Sequence, residues 1–178
     1  MSTAPHALRS QACRHACRSS CTHARTMPTD ACGSQKSLSG ISVTQHCVSL
    51  YQELKSKSAY RFITFKIDGS GQRVVADQCS AGNASFADFT EALPEHDSRY
   101  AVFDFAYVNA DGCQLKKIIF IMWSPDTAQI KAKMMYASTK DFFKGLLPGI
   151  ALEQQATEIG EVDEEEMRLR IQATLTRK

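Results

Sequence analysis

Ile118 to Asp141, IIFIMWSPDTAQIKAKMMYASTKD, constrains the fold more than any other stretch of this chain. Ile118 to Trp123 is a continuous apolar run, too short to span a membrane and right for a strand covered on both faces. Ser124-Pro125-Asp126 then reads as a helix N-cap, a proline at the first helical position and an acid facing the positive end of the helix dipole. The pattern predicts a helix over Pro125–Ser138. At about 100° per residue its side chains fall on two faces. Ala128, Ala132, Met135, Tyr136 and Thr139 form a small apolar face suited to a sheet. Thr127, Ile130, Lys131, Met134 and Ser138 form the opposite face. That second face belongs in water, yet it carries Ile130 and Met134 flanked by Lys131 and Lys133. An apolar stripe rimmed by lysines on a solvated helix is a protein-binding pattern.

The rest of the domain reads as hairpins and helices. Thr44–Lys57 has apolar residues Val48, Tyr51 and Leu54 at helical spacing. Tyr60–Ile67 and Gln72–Cys79 are predicted strands joined by the turn Asp68-Gly69-Ser70-Gly71. Ser85 and Asp88 open a short helix with a capping pattern, ended by Pro94. Arg99–Val108 and Leu115–Trp123 are strands joined by a turn at Asn109–Gly112. Lys140–Leu147 reads as a second helical piece before Pro148-Gly149, and Asp163 caps a terminal helix running to Leu175, with Glu164, Glu165 and Glu166 at its positive end. These elements argue for one mixed α/β domain, a central mixed β-sheet with helices on both faces.

Residues 1–38 differ from residues 39–178. They hold five basic residues against the single acid Asp30, and no aromatic residue precedes Tyr51. Such a segment cannot bury enough apolar surface to offset its ordering entropy, so a disordered extension is expected. It carries Cys13, Cys17, Cys21 and Cys32. The spacing of the first three, with His15 and His23 nearby, offers soft ligands to zinc or copper, but no two-residue cysteine knuckle is present and no metal is expected. An organelle transit segment and an upstream extension of the reading frame also fit its Arg- and Ser-rich composition. Cys47, Cys79 and Cys113 in the domain, an odd number with no secretory signal, point to a reduced cytoplasmic setting.

Features that support catalysis are missing. No glycine-rich phosphate loop follows a strand, and no serine sits in a nucleophile elbow. His46 and Cys47 are adjacent, so on a helix they point about 100° apart and cannot form a nucleophile–base pair. His96 reads as a solvated loop histidine. Neither an enzyme, a cofactor, a nucleic-acid partner nor a transmembrane segment is expected.

The sequence resembles the ADF/cofilin family of actin-depolymerising proteins. Trp123–Ala128 (W-S-P-D-T-A), Lys131–Met134 (K-x-K-M) and Tyr136–Asp141 (Y-A-S-T-K-D) carry the resemblance. Ser39–Val43, Tyr60–Asp68, Phe89–Phe105 and Thr157–Val162 add to it in order, so that it covers residues 39–178. The resemblance implies a single ADF-homology domain that binds actin monomers and filament sides and promotes severing, depolymerisation and turnover. It implies a monomer-binding site at Ser39, Gly40, Ile41, Ile130, Lys131, Lys133, Met134, Ser138 and Thr139. It also implies a filament site at Lys116, Lys117, Arg168 and Arg170, in which Lys117 and Arg170 match by position. Leu115 stands where many relatives carry a basic residue, which leaves open a domain that binds monomers or an actin-related protein without severing. Ser39 matches a regulatory phosphorylation site, and the lysines imply phosphoinositide binding. A monomer acting on the cytoplasmic actin cytoskeleton is the expected form.

Overall fold

Residue parity along two long strands divides the core in two. The structure, a computed structural model, describes residues 40–108 and 112–175. In chain order the elements are β1 (Ser42–Val43), α1 (Gln45–Lys57), β2 (Phe62–Ile67), β3 (Arg73–Cys79), α2 (Phe86–Glu91), β4 (Arg99–Val108), β5 (Gln114–Trp123), α3 (Ile130–Gly145), β6 (Ile150–Ala156), a 3-10 turn (Ile159–Glu161) and α4 (Glu164–Leu175). The strands form one sheet in the order β1-β3-β2-β4-β5-β6, with β1–β3 and β5–β6 parallel and the other pairs antiparallel.

Successive side chains of a strand point to opposite faces. Tyr100, Val102, Ile118, Phe120 and Met122 therefore pack with Leu50, Tyr51 and Leu54 of α1 and Tyr136 and Phe143 of α3. Phe103, Phe105, Ile119, Ile121 and Trp123 pack on the other face with Phe89 of α2 and Met167 and Ile171 of α4. Both faces being covered explains the unbroken apolar run at Ile118–Trp123.

Local chemistry sets several boundaries where the sequence places them. Ser85 and Asp88 form a reciprocal capping box at α2. Asp68 Oδ1 accepts from the amides of Gln72 and Arg73, closing the β2–β3 turn, where Gly71 adopts φ +70°. Asp163 Oδ2 accepts from the amide of Glu166 at 3.1 Å and starts α4. Ser58 ends α1 in the left-handed region, with its amide on the Leu54 carbonyl.

Three expectations are corrected. The long helix begins at Ile130, not Pro125. The Ser124 amide donates to the Ala156 carbonyl at 2.9 Å, so the β5–β6 pairing continues past Trp123 and holds the chain out of helical geometry. Residues 124–129 form a turn instead, and Gln129 precedes the helix without a side-chain cap. The helix also does not stop near Ser138. Lys140–Gly145 continues it, because Phe143 extends the buried stripe of Tyr136 and Thr139 at helical spacing. Finally, β6 and the short β1 are strands absent from the expected set. Residues 109–111 of the expected turn at Asn109–Gly112, the extension 1–38 and Ser39 lie outside the described residues.

Candidate functional site

The exposed stripe of α3 is a structural fact. Ile130 is 78 % exposed and Met134 68 %, one helical turn apart. Lys131 and Ser138 are exposed beside them. Lys133 lies at the border, where its ammonium pairs with Asp126 Oδ1 at 3.2 Å. Ser138 Oγ donates to the Met135 carbonyl.

Two residues expected in this surface are elsewhere. Thr139 is fully buried, and its hydroxyl donates to the Met135 carbonyl at 2.9 Å. Ile41 is 2 % exposed and belongs to the core under α1 and α3. Neither side chain is part of the exposed surface. Gly40 is exposed and adopts φ +78°, a conformation suited to glycine, immediately before the buried Ile41.

The helix is fixed to the sheet at its middle. Tyr136 OH accepts from the Ile67 amide at 2.9 Å, and the Tyr136 carbonyl accepts from Tyr100 OH at 2.6 Å. Burial pushes the Tyr100 and Tyr136 phenols up, so both remain neutral donors or acceptors at ordinary pH. Tyr136 thus holds α3 through both its side chain and its backbone, and the stripe on the opposite side is presented outward.

Ile159, like Val108 and Leu169, is a further exposed apolar side chain not singled out from the sequence. Ile159 is 52 % exposed in the 3-10 turn after β6. Trp123 pairs with Ala156, so the turns that follow β5 and β6 leave the same end of the sheet, the end at which α3 starts. Glu161 organises this turn by accepting from the amides of Thr157 and Glu158. The signal was an isoleucine isolated among acids and a glycine in Thr157–Val162, a position that no amphipathic period explains.

The four basic residues of the expected filament site do not all lie on one face of the sheet. Lys116 and Lys117 alternate, so they point to opposite faces of β5. Lys116 donates to Ser58 Oγ at 2.8 Å and lies 4.0 Å from Asp104 Oδ2. Asp104 is buried, and burial raises its pKa despite Lys116 and Arg61 nearby. On α4, Arg168 pairs with Glu164 and Glu165, whereas Arg170 pairs with Glu166 and Gln154. At about 100° per residue the two arginines leave the helix on different flanks.

Among the described residues, no group of three or more His, Cys, Asp or Glu side chains is placed to hold a metal ion. Cys47 is buried and its thiol is pushed up by burial, with Thr44 as neighbour, while Cys79 is half-buried and Cys113 exposed. No helix among the described residues is long and apolar enough to cross a membrane.

Known proteins share this fold and much of this sequence. The family described as "Cofilin/tropomyosin-type actin-binding protein" matches residues 40–172. "Actin-depolymerizing factor 6" of Oryza sativa subsp. japonica is 50 % identical over 126 residues, covering 71 % of this chain and 91 % of that protein. Actophorin of Acanthamoeba castellanii is 47 % identical over 128 residues, covering 72 % and 92 %. The crystal structure of Streptomyces griseoflavus cofilin superposes with a TM-score of 0.70 at 33 % identity, covering 75 % of this chain and 98 % of that one. The match spans both helical layers and the whole sheet, and the chain belongs to the ADF/cofilin family of actin-binding proteins.

Proposed function

We propose that this protein binds actin monomers and filament sides and promotes filament severing, depolymerisation and turnover. The observation that carries the reading is the exposed Ile130–Met134 stripe with Lys131 beside it, on a helix held to the sheet by Tyr136. Burying those two side chains against a partner contributes roughly 1.5 to 3 kcal/mol each. Gly40, Lys133 and Ser138 border the contact, while Ile41 and Thr139 support it from within. No cofactor or covalent step is required. A ligand that prefers one filament conformation shifts the filament population toward it by its differential affinity alone.

Co-sedimentation with filamentous actin tests this directly. Expected are protein in the pellet and an increase of actin in the supernatant. Protein left wholly in the supernatant, with pelleted actin unchanged and no binding to labelled monomer, would sink the reading.

A monomer-binding domain without severing is the second reading. It is favoured by the internal engagement of Lys116 with Ser58 and Asp104, and of Arg170 with Glu166 and Gln154. Leu115 packs against the α4-side core rather than offering a charge. Monomer binding with no pelleted protein would select this reading.

Regulation follows the same surface. Ser39 immediately precedes exposed Gly40, and buried Ile41 ties the chain to the domain just beyond it. A phosphate on Ser39 adds about −1.5 to −2 charges there and weakens actin binding. Unchanged monomer affinity of Ser39→Glu would remove this assignment. Lys131 and Lys133 also offer cations to acidic phosphoinositides, which then compete with actin. Vesicles with and without phosphoinositide, added to a monomer titration, separate the two. The protein acts as a monomer in the cytoplasm, on the actin cytoskeleton, which sizing and imaging check.

A further inference from the structure

Glu153 lies on the edge strand β6, paired in register with Phe120, on the face covered by α3. Its carboxylate receives two ammonium groups from successive turns of that helix. Lys140 Nζ is 2.6 Å from Oε1, and Lys144 Nζ donates to Oε2. The side chains of Glu153 and Lys140 are 28 % and 24 % exposed and that of Lys144 40 %, so the Lys140 arm of the bridge is the more covered. Lys140 and Lys144 are one turn apart and would repel each other without the carboxylate between them. The hydrogen bonds from Lys140, then Lys144, hold the Glu153 carboxyl below its usual range, so the bridge is charged at neutral pH.

The position of this bridge on the helix gives it a second consequence. The buried stripe runs through Tyr136, Thr139 and Phe143, and the exposed stripe through Ile130 and Met134. Lys140 and Lys144 lie on one flank between them, roughly 100° and 60° round the helix from the exposed stripe. On the opposite flank, Met135 closes over the Gly71 turn, where a Cβ would meet its Cε at 2.9 Å. The Tyr136 hydrogen bonds fix the helix at one level only. Rotation is opposed beneath the helix by buried Phe143, on one flank by Met135 and on the other by the Glu153 bridge.

We propose that Glu153 is a positioning residue for actin binding: by clamping Lys140 and Lys144 it sets the roll of α3 over the sheet, and with it the presentation of Ile130, Lys131 and Met134. The inference rests on the actin-binding reading above. A rigid face loses less freedom on association than a rolling one, so release of the clamp appears as lost affinity. The competing role has the opposite sign. If Lys140 and Lys144 were themselves partner contacts masked by Glu153, removing the carboxylate would free two cations and tighten binding.

The test titrates labelled actin monomer with the full chain, with Glu153→Gln, and with a charge-exchanged variant carrying Glu153→Lys, Lys140→Glu and Lys144→Glu. Thermal melts and amide hydrogen exchange are recorded on each. Glu153→Gln should weaken binding at least about fivefold while remaining folded at the assay temperature, and charge exchange should recover most of that loss. Exchange of the α3 amides should speed up in Glu153→Gln while the β4 amides stay protected. Parental or tighter binding by Glu153→Gln overturns the proposal, as does its unfolding at the assay temperature, which would make Glu153 a folding residue. An exchanged variant as weak as Glu153→Gln also overturns it. A parent chain that does not bind actin removes the functional reading instead, and α3 amide exchange then decides Glu153 alone: faster exchange sustains the positioning, parental exchange ends it.

Discussion

Met134 and Met135 are neighbours in α3 that face different surroundings: Met134 is in solvent, whereas Met135 packs against the α3-side core and covers the turn at Gly71. The two bonds from the helix axis diverge by about 100°. Met134→Ala should leave the melting temperature close to that of the parent and weaken monomer binding about tenfold, since the buried area is lost only in the complex. Met135→Ala should cost about 1–2 kcal/mol of stability and alter binding less. Thermal melts and monomer titrations on both variants check this. Equal melting losses would contradict the division of the helix.

The lysines beside the stripe are not equivalent. Lys131 is exposed, whereas Lys133 is held by Asp126 at 3.2 Å. Neither belongs to the buried core, and the Lys133–Asp126 pair involves a largely exposed acid, so Lys131→Ala with Lys133→Ala should change stability by under about 0.5 kcal/mol. In binding, loss of charge and stem packing at a central contact should cost about 2 kcal/mol, or roughly thirtyfold in affinity. A double variant that binds monomeric actin as tightly as the parent would move the contact off this face.

What was legible in the sequence was what local chemistry decides. Arg99–Val108 is bounded as expected because both faces are covered, and the Ser85–Asp88 box is complete within four residues. The start of α3 was misplaced because the local Ser-Pro-Asp signal yields to a hydrogen bond between Ser124 and Ala156, residues far apart in the chain. β6 was missed for a related reason. Glu153, Gln154 and Gln155 have little intrinsic strand preference, and they form a strand because β5 supplies a parallel partner. The burial of Ile41 and Thr139, and the partners of Lys116, are also non-local. Of the candidate surface, the stripe itself was readable from period and charge, while its supports were not.

Asp77 joins three strands and gives the fold a defined acid sensitivity. It pairs with Lys66 at 2.6 Å and Arg99 Nε at 3.0 Å. Burial alone pushes its carboxyl up, but the hydrogen bonds from Lys66 and Arg99 outweigh that and hold it below the ordinary 3.8. With a lowered folded pKa, the unfolded chain takes up the proton first. The stabilisation is therefore complete above the unfolded value and is lost as pH falls through the folded one. Asp77→Asn should cost about 1 kcal/mol near neutrality, because Lys66, itself partly in solvent, loses its partner while mostly covered Arg99 keeps only Asp97 and the Ser98 carbonyl. The difference in melting temperature between variant and parent should shrink as pH falls below about 4. A constant difference across that range would contradict the charge-based account.

Lys116 and Lys117 should separate a structural role from a contact role. Lys116 lies beside the buried Asp104 and donates to Ser58, whereas Lys117 points to the opposite face of the sheet. Lys116→Ala leaves Asp104 without its nearest cation and should cost about 1 kcal/mol, a modest figure because Lys116 is itself largely in solvent. Burial already raises the folded pKa of Asp104, so its charged form is disfavoured in the folded state. The folded chain then binds that proton more readily than the unfolded one, and the deficit of Lys116→Ala should diminish as pH falls through the folded pKa of Asp104. Lys117→Ala should change stability by under about 0.5 kcal/mol and reduce co-sedimentation with filaments by about fivefold, leaving monomer binding near the parental value. Filament pelleting and pH-dependent melts on the two single variants decide the matter. If Lys116→Ala loses filament binding with an unchanged melting temperature at every pH, Lys116 is a contact after all, and its pairing with Asp104 is incidental.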